Sequence, residues 1–556
     1  MRCVDDVKVA AVQISSETNE ADGNLRKIKK KITEAAENGA ELIVFPECSN
    51  SWYVFKDPDH ARRCATTIPG PLTDGISQSA SEYKVYVAMG LSEWEDYKSL
   101  FNTSLLFGPD GSILGKYRKL LLRATDQAWF QEGDLGHPVF DTKVGRIGLF
   151  ICADARIPEI ARNEALMGAE VLLNSSCWGG REQYLIHVPT RAVENRVWIV
   201  SADKVGPEPP FNYPGHSFVI SPSGEVVAEA GEEEEIIYAT IDLKLARNKK
   251  LNLHNDIFKD RRPNTYEALG RPIEETPLYN ILRMPVIPEK MCIQGGVLQL
   301  ELGAHLEAVL SGIRTAAMHG SRLMVLPEMS LAEGPVKSRR EAIEASIDVP
   351  GPLTKEVEEV AEKCSCFVVA GLIEREDDRL YNTAVLIGPK GIIGKYRKMH
   401  LWRREKEWFI QGNLGYPIFE TPFGNIGIMI GYDGFFPEVP GVLTLMGADL
   451  IAWPCDWTSL LYPRYIAPAR ALENRVFVMA ANWVGTAGGE TLIGQSRIVD
   501  PLGRVLAQAV GDGEQYSHSR CMDLAMARCK RIDPRTDICV CRTRLFHTKE
   551  ENRRGI

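Results

Sequence analysis

The 556-residue chain lacks any run of about 18 apolar residues, so no segment is predicted to span a membrane. Cysteine is sparse, at 13 residues, which is ordinary for a reducing compartment and too few for a disulfide scaffold. The formal net charge is −9, and without a basic excess nucleic acid is disfavoured as a partner. The opening MRCVDDVKVAAVQI carries acids where a secretion signal needs positive charge. We therefore expect a cytoplasmic protein with neither membrane nor nucleic acid as a partner.

Sequence motifs for metal and nucleotide binding are also absent. One residue separates Cys364 from Cys366, and Cys539 from Cys541, whereas the paired ligands of zinc sites are separated by roughly two to four. The chain has no HExxH segment, and GPDGSILGKY (108–117) does not match a P-loop. We therefore expect no metal and no cofactor.

What the chain does contain is one very long internal repeat, on a globular composition of 44% hydrophobic and 25% charged residues. Each repeated segment returns about 280 residues later, which is far too long for a solenoid unit and indicates a duplicated domain. We place the two domains at 1–280 and 281–556. The matching segments are GKYRKLLL (115–122) with GKYRKMHL (394–401), RAVENRVWIV (191–200) with RALENRVFVM (470–479), and GRIGLFIC (145–152) with GNIGIMIG (424–431).

Strand and helix signals alternate within each copy. VKVAAVQI (7–14) predicts a buried strand, and the amphipathic helix after it has a stop signal at Gly39. SFVISPSGEVVAEA (217–230) predicts a β-hairpin. Residues 265–290 are rich in proline and predict an extended connector between the copies. The fold class is therefore predicted as α/β, with two layers of helix covering mostly buried sheet.

Three chemically active side chains stand where predicted strands end. Glu47 closes LIVFPE, Lys119 closes GKYRK, and Cys152 closes GRIGLFIC. Open sheets place their ligand crevices at the carboxyl ends of strands, so these side chains are expected to converge. A carboxylate can take the proton of a thiol, a thiolate is the competent nucleophile, and an ammonium can stabilise an oxyanion. The sequence therefore predicts acyl-transfer chemistry.

These segments resemble the nitrilase, or carbon–nitrogen hydrolase, superfamily. The resemblance rests on PE at 46–47, GKYRK at 115–119 and CADARIPE at 152–159, while RAVENRV and DRRPNTY (260–266) resemble its amidase and N-carbamoyl-amidase branches. It implies an α-β-β-α sandwich, with two domains usually meeting face to face. It also implies that Glu47 is the general base, that Lys119 stabilises the oxyanion together with backbone N–H groups near Ala153, and that Cys152 is the nucleophile.

The chain departs from the family pattern at two positions. Many relatives carry a second Glu after the Lys, where this chain has the shorter Asp126. The second copy keeps a complete set of charged residues but has glycine where the nucleophile belongs; these residues are Glu328, Lys398, Glu405 and Gly431. Cys455, in IAWPCDW, lies one strand further along and is not expected to substitute. We expect one active site per chain, in the first copy, with the second as a pseudo-catalytic partner in an intramolecular pseudo-dimer.

The predicted reaction is hydrolysis of a linear carboxamide or N-carbamoyl compound through a cysteine thioester. An acyltransferase or amide synthase using the same triad is an alternative. A nitrile hydrolase is another alternative, but Ala153 stands where nitrile hydrolysers tend to carry Trp. Tyr53 and Trp178 are candidates for the substrate pocket or for ordinary packing, as is Cys177.

Overall fold

The structure is a computed structural model that describes residues 5–542 except 18–20, 97–98, 124, 284–291, 333, 488, 512, 534–535 and 540–541. The chain divides into two compact units. Unit 1 contains the described residues up to Lys249 together with Arg531–Asp537, and unit 2 contains Lys250–Lys530 with the described residues after Asp537. The boundary near residue 280 falls within unit 2 and stays a prediction about where the sequence copies divide.

Unit 1 is built on two six-stranded sheets and two two-stranded ribbons, Val205–Glu208 with Phe211–Pro214 and Arg531–Asp533 with Thr536–Asp537. In spatial order the first sheet is Glu235–Asp242, Asp6–Gln13, Leu42–Val44, Tyr86–Asp96, Ser99–Phe107 and Ile113–Arg118. In spatial order the second sheet is Val226–Glu229, Phe218–Ile220, Trp198–Asp203, Val171–Ser176, Gly145–Ile151 and Val139–Thr142. Central strands of the two sheets contact each other, so the sheets form the two inner layers.

Helices cover the outer face of each sheet in unit 1. Ala21–Glu37 packs against Pro71–Tyr83 over the first sheet, where buried aliphatic side chains form a core. Pro158–Leu166 packs against Val188–Asn195 over the second sheet. The remaining helical segments are Pro58–Cys64, Asp126–Ala128, Cys152–Arg156, Gln183–His187 and Leu243–Arg247. The predicted α-β-β-α layering is confirmed for this copy.

Unit 2 repeats the same architecture. Its first sheet contains, in order, Gly391–Arg397, Arg379–Gly388, Phe367–Glu376, Leu323–Val325 and Cys292–Glu301; the last pairs with Gln515–Asp523 and with Trp483–Ala487, beside Glu490–Ile493. Its second sheet is Ile418–Thr421, Gly424–Ile428, Leu450–Pro454, Phe477–Ala481, Arg497–Val499 and Val505–Gln508. Its helices include Pro277–Leu282, Leu306–Met318, Arg339–Glu344, Pro352–Cys364, Glu405–Trp408, Glu438–Leu445, Tyr462–Ile466 and Ala467–Asn474, with short helical turns at Ser330–Ala332, Gly431–Phe435 and Leu524–Arg528.

The segment predicted as an extended connector is instead a series of short helical turns as far as residue 283. They are Pro263–Thr265, Glu267–Gly270, Ile273–Glu275 and Pro277–Leu282. Proline opens the first and last of these turns, because its missing N–H and fixed φ suit the first helical position. The extended prediction was wrong for this part, and residues 284–290 lie outside the described residues.

The strand and hairpin predictions that bear on the site are confirmed. VKVAAVQI forms Asp6–Gln13, and the predicted hairpin forms Phe218–Ile220 with Val226–Glu229. In the described part of the chain, no helix combines the length and the apolar character that crossing a membrane requires.

Candidate active site

The Glu47 side chain is fully buried just beyond the strand Leu42–Val44, in the middle of the first sheet. Its Oε1 accepts hydrogen bonds from Asn102 Nδ2 at 2.6 Å and from Lys119 Nζ at 2.8 Å. Its Oε2 accepts from Cys177 Sγ at 2.9 Å. Burial alone would raise the pKa of Glu47, but the Lys119 charge and these donors outweigh it and lower that pKa. Glu47 is therefore an ionised carboxylate, able to accept a proton.

Lys119 follows the strand Ile113–Arg118 and carries its ammonium between two carboxylates. Besides Glu47, its Nζ contacts both oxygens of Asp126, at 3.1 and 3.0 Å. Burial would lower the pKa of Lys119, but the charges of Asp126 and Glu47 raise it well above its ordinary value. The short side chain of Asp126 thus reaches the lysine, and burial raises the pKa of Asp126 although Lys119 opposes the rise.

Cys152 directly follows the strand Gly145–Ile151 and begins the short helical turn Cys152–Arg156. Its φ is +46°, a conformation that non-glycine residues rarely adopt and that tight functional turns retain. Its backbone N–H donates to Asn174 Oδ1 at 3.0 Å, on the neighbouring strand. The residue is 8% exposed. The turn therefore holds the thiol at a strand end, in a fixed backbone conformation.

Glu47, Cys152 and Cys177 form a cluster in which one ligand atom of each lies within 4.8 Å of the other two. It is the one such group of His, Cys, Asp and Glu side chains in the part of the chain that the structure describes. Thiolate and carboxylate are zinc ligands by type, so an ion bound there would occupy the groups that acyl transfer needs. Burial, the hydrogen bond with Cys152 and the Glu47 charge raise the pKa of Cys177 well above its ordinary value. The Cys177 thiol thus stays protonated and donates a hydrogen bond to Glu47 Oε2.

The two candidate pocket residues lie in different surroundings. The Tyr53 ring centroid is 5.5 Å from Lys119 Nζ, and the side chain is mostly buried. Trp178 is 1% exposed, stacks on Phe218 and donates from its indole to Gly215 O at 3.0 Å. Tyr53 therefore borders the charged cluster, whereas the described contacts of Trp178 are those of a packed residue; its assignment to a substrate pocket stays a prediction.

Sequence reasoning missed two residues that organise this site. Asn102 holds Glu47 and was visible only as part of an Asn-Thr-Ser glycosylation sequon. Asp154 accepts from Tyr117 Oη at 2.7 Å and from the backbone of Leu121 and Ile151, at 2.7 and 3.0 Å. It thereby ties the turn that starts at Cys152 to the strand end that carries Lys119. The D of CADARIPE was the available signal.

The equivalent site of unit 2 keeps the same charge arrangement. Glu328 Oε1 accepts from Lys398 Nζ at 2.6 Å and from Asn382 Nδ2 at 2.5 Å. Lys398 Nζ also donates to Glu405 Oε2 at 2.8 Å, so Glu405 takes the place of Asp126. All four side chains are buried.

Gly431 stands at the position equivalent to Cys152 and shares its backbone conformation, with φ +45°. A Cβ placed there would lie 2.2 Å from Glu328 Oε2, so the carboxylate occupies the space of the missing side chain. Cys455 is fully buried and donates to Trp453 O at 3.0 Å. Asp456, one residue further, has the sequence position that Cys177 has in unit 1.

The comparisons with known proteins identify the family. The family model for carbon-nitrogen hydrolases matches the chain twice, at residues 8–250 and 292–528. A protein named nitrilase from Pyrococcus abyssi is 41% identical over 266 residues, which is 47% of this chain and 99% of that protein. An omega-amidase NIT2 from Bos taurus is 37% identical over 270 residues, which is 46% of this chain and 95% of that protein.

Solved structures of the superfamily are also similar. An amidase from Nesterenkonia sp. is 24% identical, with a TM-score of 0.41, over 48% of this chain and 97% of that one. Saccharomyces cerevisiae Nit3 is 29% identical, with a TM-score of 0.41, over 44% of this chain and 93% of that one. The two family matches cover most of the 556 residues. The chain therefore belongs to the carbon-nitrogen hydrolase family, as a hydrolase with two tandem copies of the family's domain.

Proposed function

We propose that unit 1 hydrolyses a linear carboxamide or N-carbamoyl compound through a thioester on Cys152. The observation that carries the proposal is the buried ammonium of Lys119, held between the carboxylates of Glu47 and Asp126. The thiol of Cys152 lies beside one of those carboxylates. A base, a nucleophile and a cation are thus together, as acyl transfer requires.

The reaction follows from these three groups. Glu47 takes the Cys152 proton, and the thiolate attacks the carbonyl carbon of the substrate, while Lys119 faces the negative charge that develops on oxygen. The C–N bond breaks, and Glu47 returns the proton to the departing ammonia or amine. Glu47 then takes a proton from water, which attacks the thioester and releases the carboxylic or carbamic acid and the free thiol.

An amide substrate is favoured over a nitrile because Ala153 stands where nitrile hydrolysers tend to carry Trp. The bovine relative is named an omega-amidase, whereas the archaeal relative is named a nitrilase, so both classes belong in the test. Tyr53 is proposed to border the acyl pocket because its ring lies beside Lys119. The second copy is proposed to be non-hydrolytic, since Gly431 offers no nucleophile.

Ammonia release from a panel of amides, ureides and nitriles tests the proposal. We expect Cys152→Ala to abolish release from every responsive compound, by at least about 10³-fold, and Cys455→Ala, a buried cysteine of unit 2, to retain it. Mass spectrometry of a quenched reaction should find the acyl group on Cys152. Full activity in Cys152→Ala would remove the basis of the proposal. Quantitative transfer of the acyl group to an added amine, with no acid product, would favour the acyltransferase alternative.

A further inference from the structure

Unit 2 contains a cavity of about 640 Å³ above its degenerate site. Its lining includes the carboxylates of Glu328, Glu405 and Asp456 and the rings of Trp402 and Trp408. A volume of this size suits a small organic molecule. The cavity is therefore large enough for a ligand and has charged groups in its lining.

The base of the cavity contains a hydrogen-bond acceptor that lacks a donor. Glu328 is 1% exposed, and its Oε1 already accepts from Lys398 and Asn382. Its Oε2 is buried and has no hydrogen-bond partner among the described residues. A buried carboxylate oxygen without a donor is costly, so the site is built for a donor that comes from outside the chain.

The comparison with unit 1 identifies the group that is missing. There, the equivalent Oε2 of Glu47 accepts from the thiol of Cys177. At that sequence position unit 2 has Asp456, whose carboxylate brings acceptor oxygens in place of a thiol. Asp456 Oδ1 is 3.1 Å from the point where a Cβ on Gly431 would lie, and Glu328 Oε2 is 2.2 Å from that point. Two acceptors therefore converge where unit 1 has a donor and an acceptor.

The charges around this point are also unbalanced, with more carboxylates than cations. Three carboxylates face one ammonium, that of Lys398, which is already engaged by Glu328 and Glu405. Arg403, on the cavity wall, pairs with Glu490 and also interacts with the charge of Asp456, so four carboxylates there share the two cations Lys398 and Arg403. Arg404 pairs with Glu407, and Lys337 is exposed. Burial and the Asp456 charge raise the pKa of Glu328 well above its ordinary value, and the charge of Lys398 offsets them only in part.

We propose that unit 2 is a binding site for a small molecule that carries a primary ammonium group on an apolar body. The ammonium donates to Glu328 Oε2 and Asp456, and the apolar part lies against Trp402 and Trp408. Aromatic faces attract cations and also pack against apolar groups. The two Trp rings therefore suit both the ammonium and the apolar body of such a ligand. The three N–H donors of an ammonium match the converging acceptors.

Titration calorimetry on the full-length protein tests this proposal with 2-phenylethylamine as the probe. Its neutral and anionic counterparts are 2-phenylethanol and 3-phenylpropionate, and ammonium chloride tests the cation without the apolar body. We expect one 2-phenylethylamine per chain, bound at least about tenfold more tightly than any of the other three. Glu328→Gln and Asp456→Asn should each weaken it by at least about tenfold, because each removes one charged acceptor.

Glu47→Gln is the matched control, since it makes the same change in unit 1, and it should leave amine binding unchanged. Loss of binding in Glu47→Gln would place the amine in unit 1 and overturn the proposal. Equal binding of the amine and the alcohol, or unchanged binding in a folded Glu328→Gln, would also overturn it. If Glu328→Gln does not fold, Asp456→Asn decides, because Asp456 is only half-buried. None of these results depends on whether unit 1 hydrolyses amides.

Discussion

Glu47 and Glu328 occupy equivalent positions, yet their surroundings act on them in opposite directions. The pKa of Glu47 is lowered, because the charge of Lys119 and three donors outweigh its burial. The pKa of Glu328 is raised, because burial is reinforced by the charge of Asp456. The contribution of Glu47 to stability is present above its unfolded pKa and is lost as pH falls through its folded pKa. For Glu328, stability is greatest below the unfolded pKa and is lost as pH rises through the folded pKa.

This contrast predicts opposite effects of one substitution. At pH 7 we expect Glu47→Gln to destabilise unit 1 by a free energy on the order of 3 kcal/mol, because Lys119 loses a buried partner. The melting temperature of unit 1 should fall accordingly. We expect Glu328→Gln to raise the melting temperature of unit 2, because it removes a carboxylate whose charge is disfavoured by burial and by Asp456. The Glu328 difference should shrink as pH falls toward the unfolded carboxyl pKa, whereas the Glu47 difference should persist down to that pKa and shrink only below it. Calorimetric melting curves of both variants between pH 4 and 8 measure them, and shifts of the same sign at pH 7 would contradict the prediction.

The ammonium of Lys119 is predicted to act mainly on the reaction step. We expect Lys119→Met to reduce kcat for amide hydrolysis by roughly 10²–10³-fold, the usual loss when one oxyanion donor is removed. Lys398→Met makes the same change in unit 2 and should leave kcat within about threefold of wild type. Steady-state ammonia release from both variants measures this. A larger loss in Lys398→Met than in Lys119→Met would assign the chemistry to unit 2 and contradict the prediction.

At the scale of elements, the sequence predicted the strand ends but not how they are linked. Glu47 and Cys152 could be predicted because each follows a short hydrophobic run, whereas Lys119 follows the mixed strand Ile113–Arg118 and was recognised from the repeated GKYRK segment. Asn102 and Asp154 were missed, because they act through hydrogen bonds across the sheets, which no periodicity encodes. Cys177 was recognised only as a possible pocket residue for the same reason. The connector was misjudged because proline opens helical turns as readily as it extends a chain.

Cys152, after the strand Gly145–Ile151, and its counterpart Gly431 share a positive φ. Only Cys152 has room for a side chain, because Glu328 occupies that space beside Gly431. We expect Gly431→Cys to restore no hydrolysis in a Cys152→Ala background. Its Cβ would meet Glu328 Oε2, and the displacement should destabilise unit 2 by about 1–3 kcal/mol. Ammonia release and thermal melting measure the two effects. Recovery of even a tenth of wild-type activity would show that the second site can still accept a nucleophile.

At the scale of the whole molecule, unit 1 includes a segment from near the end of the chain. In Arg531–Asp537, the buried Thr536 donates from Oγ1 to Leu122 O at 3.2 Å and accepts from Gln127 Nε2 at 3.4 Å. Gln127 is adjacent to Asp126, which holds Lys119. The late segment thus braces the loop that positions the ammonium.

Thr536→Val is therefore expected to lower the activity of unit 1 several-fold and its stability by ~1 kcal/mol, because two hydrogen bonds are lost while the shape is kept. Thr491→Val, at an exposed hairpin in unit 2, serves as the control and should change neither. Amide hydrolysis and melting curves measure both variants. Equal effects in the two variants would deny the bracing role of Thr536.

Pairing of the two copies as an intramolecular counterpart of a homodimer stays a prediction, and separate expression of 1–280 and 281–556 tests it. We expect the first fragment to be less active and less stable than the full chain. Two stable monomeric fragments, the first with full activity, would refute the pairing.

Because Thr536 lies far along the sequence from the rest of unit 1, that unit is completed late in synthesis. Synthesis at about 5–20 residues per second delivers Arg531–Asp537 roughly 15–60 s after Lys249. The first half therefore has time to form its sheets before Arg531–Asp537 is available to brace the loop at Asp126. A chain that stops before Arg531–Asp537 lacks this brace.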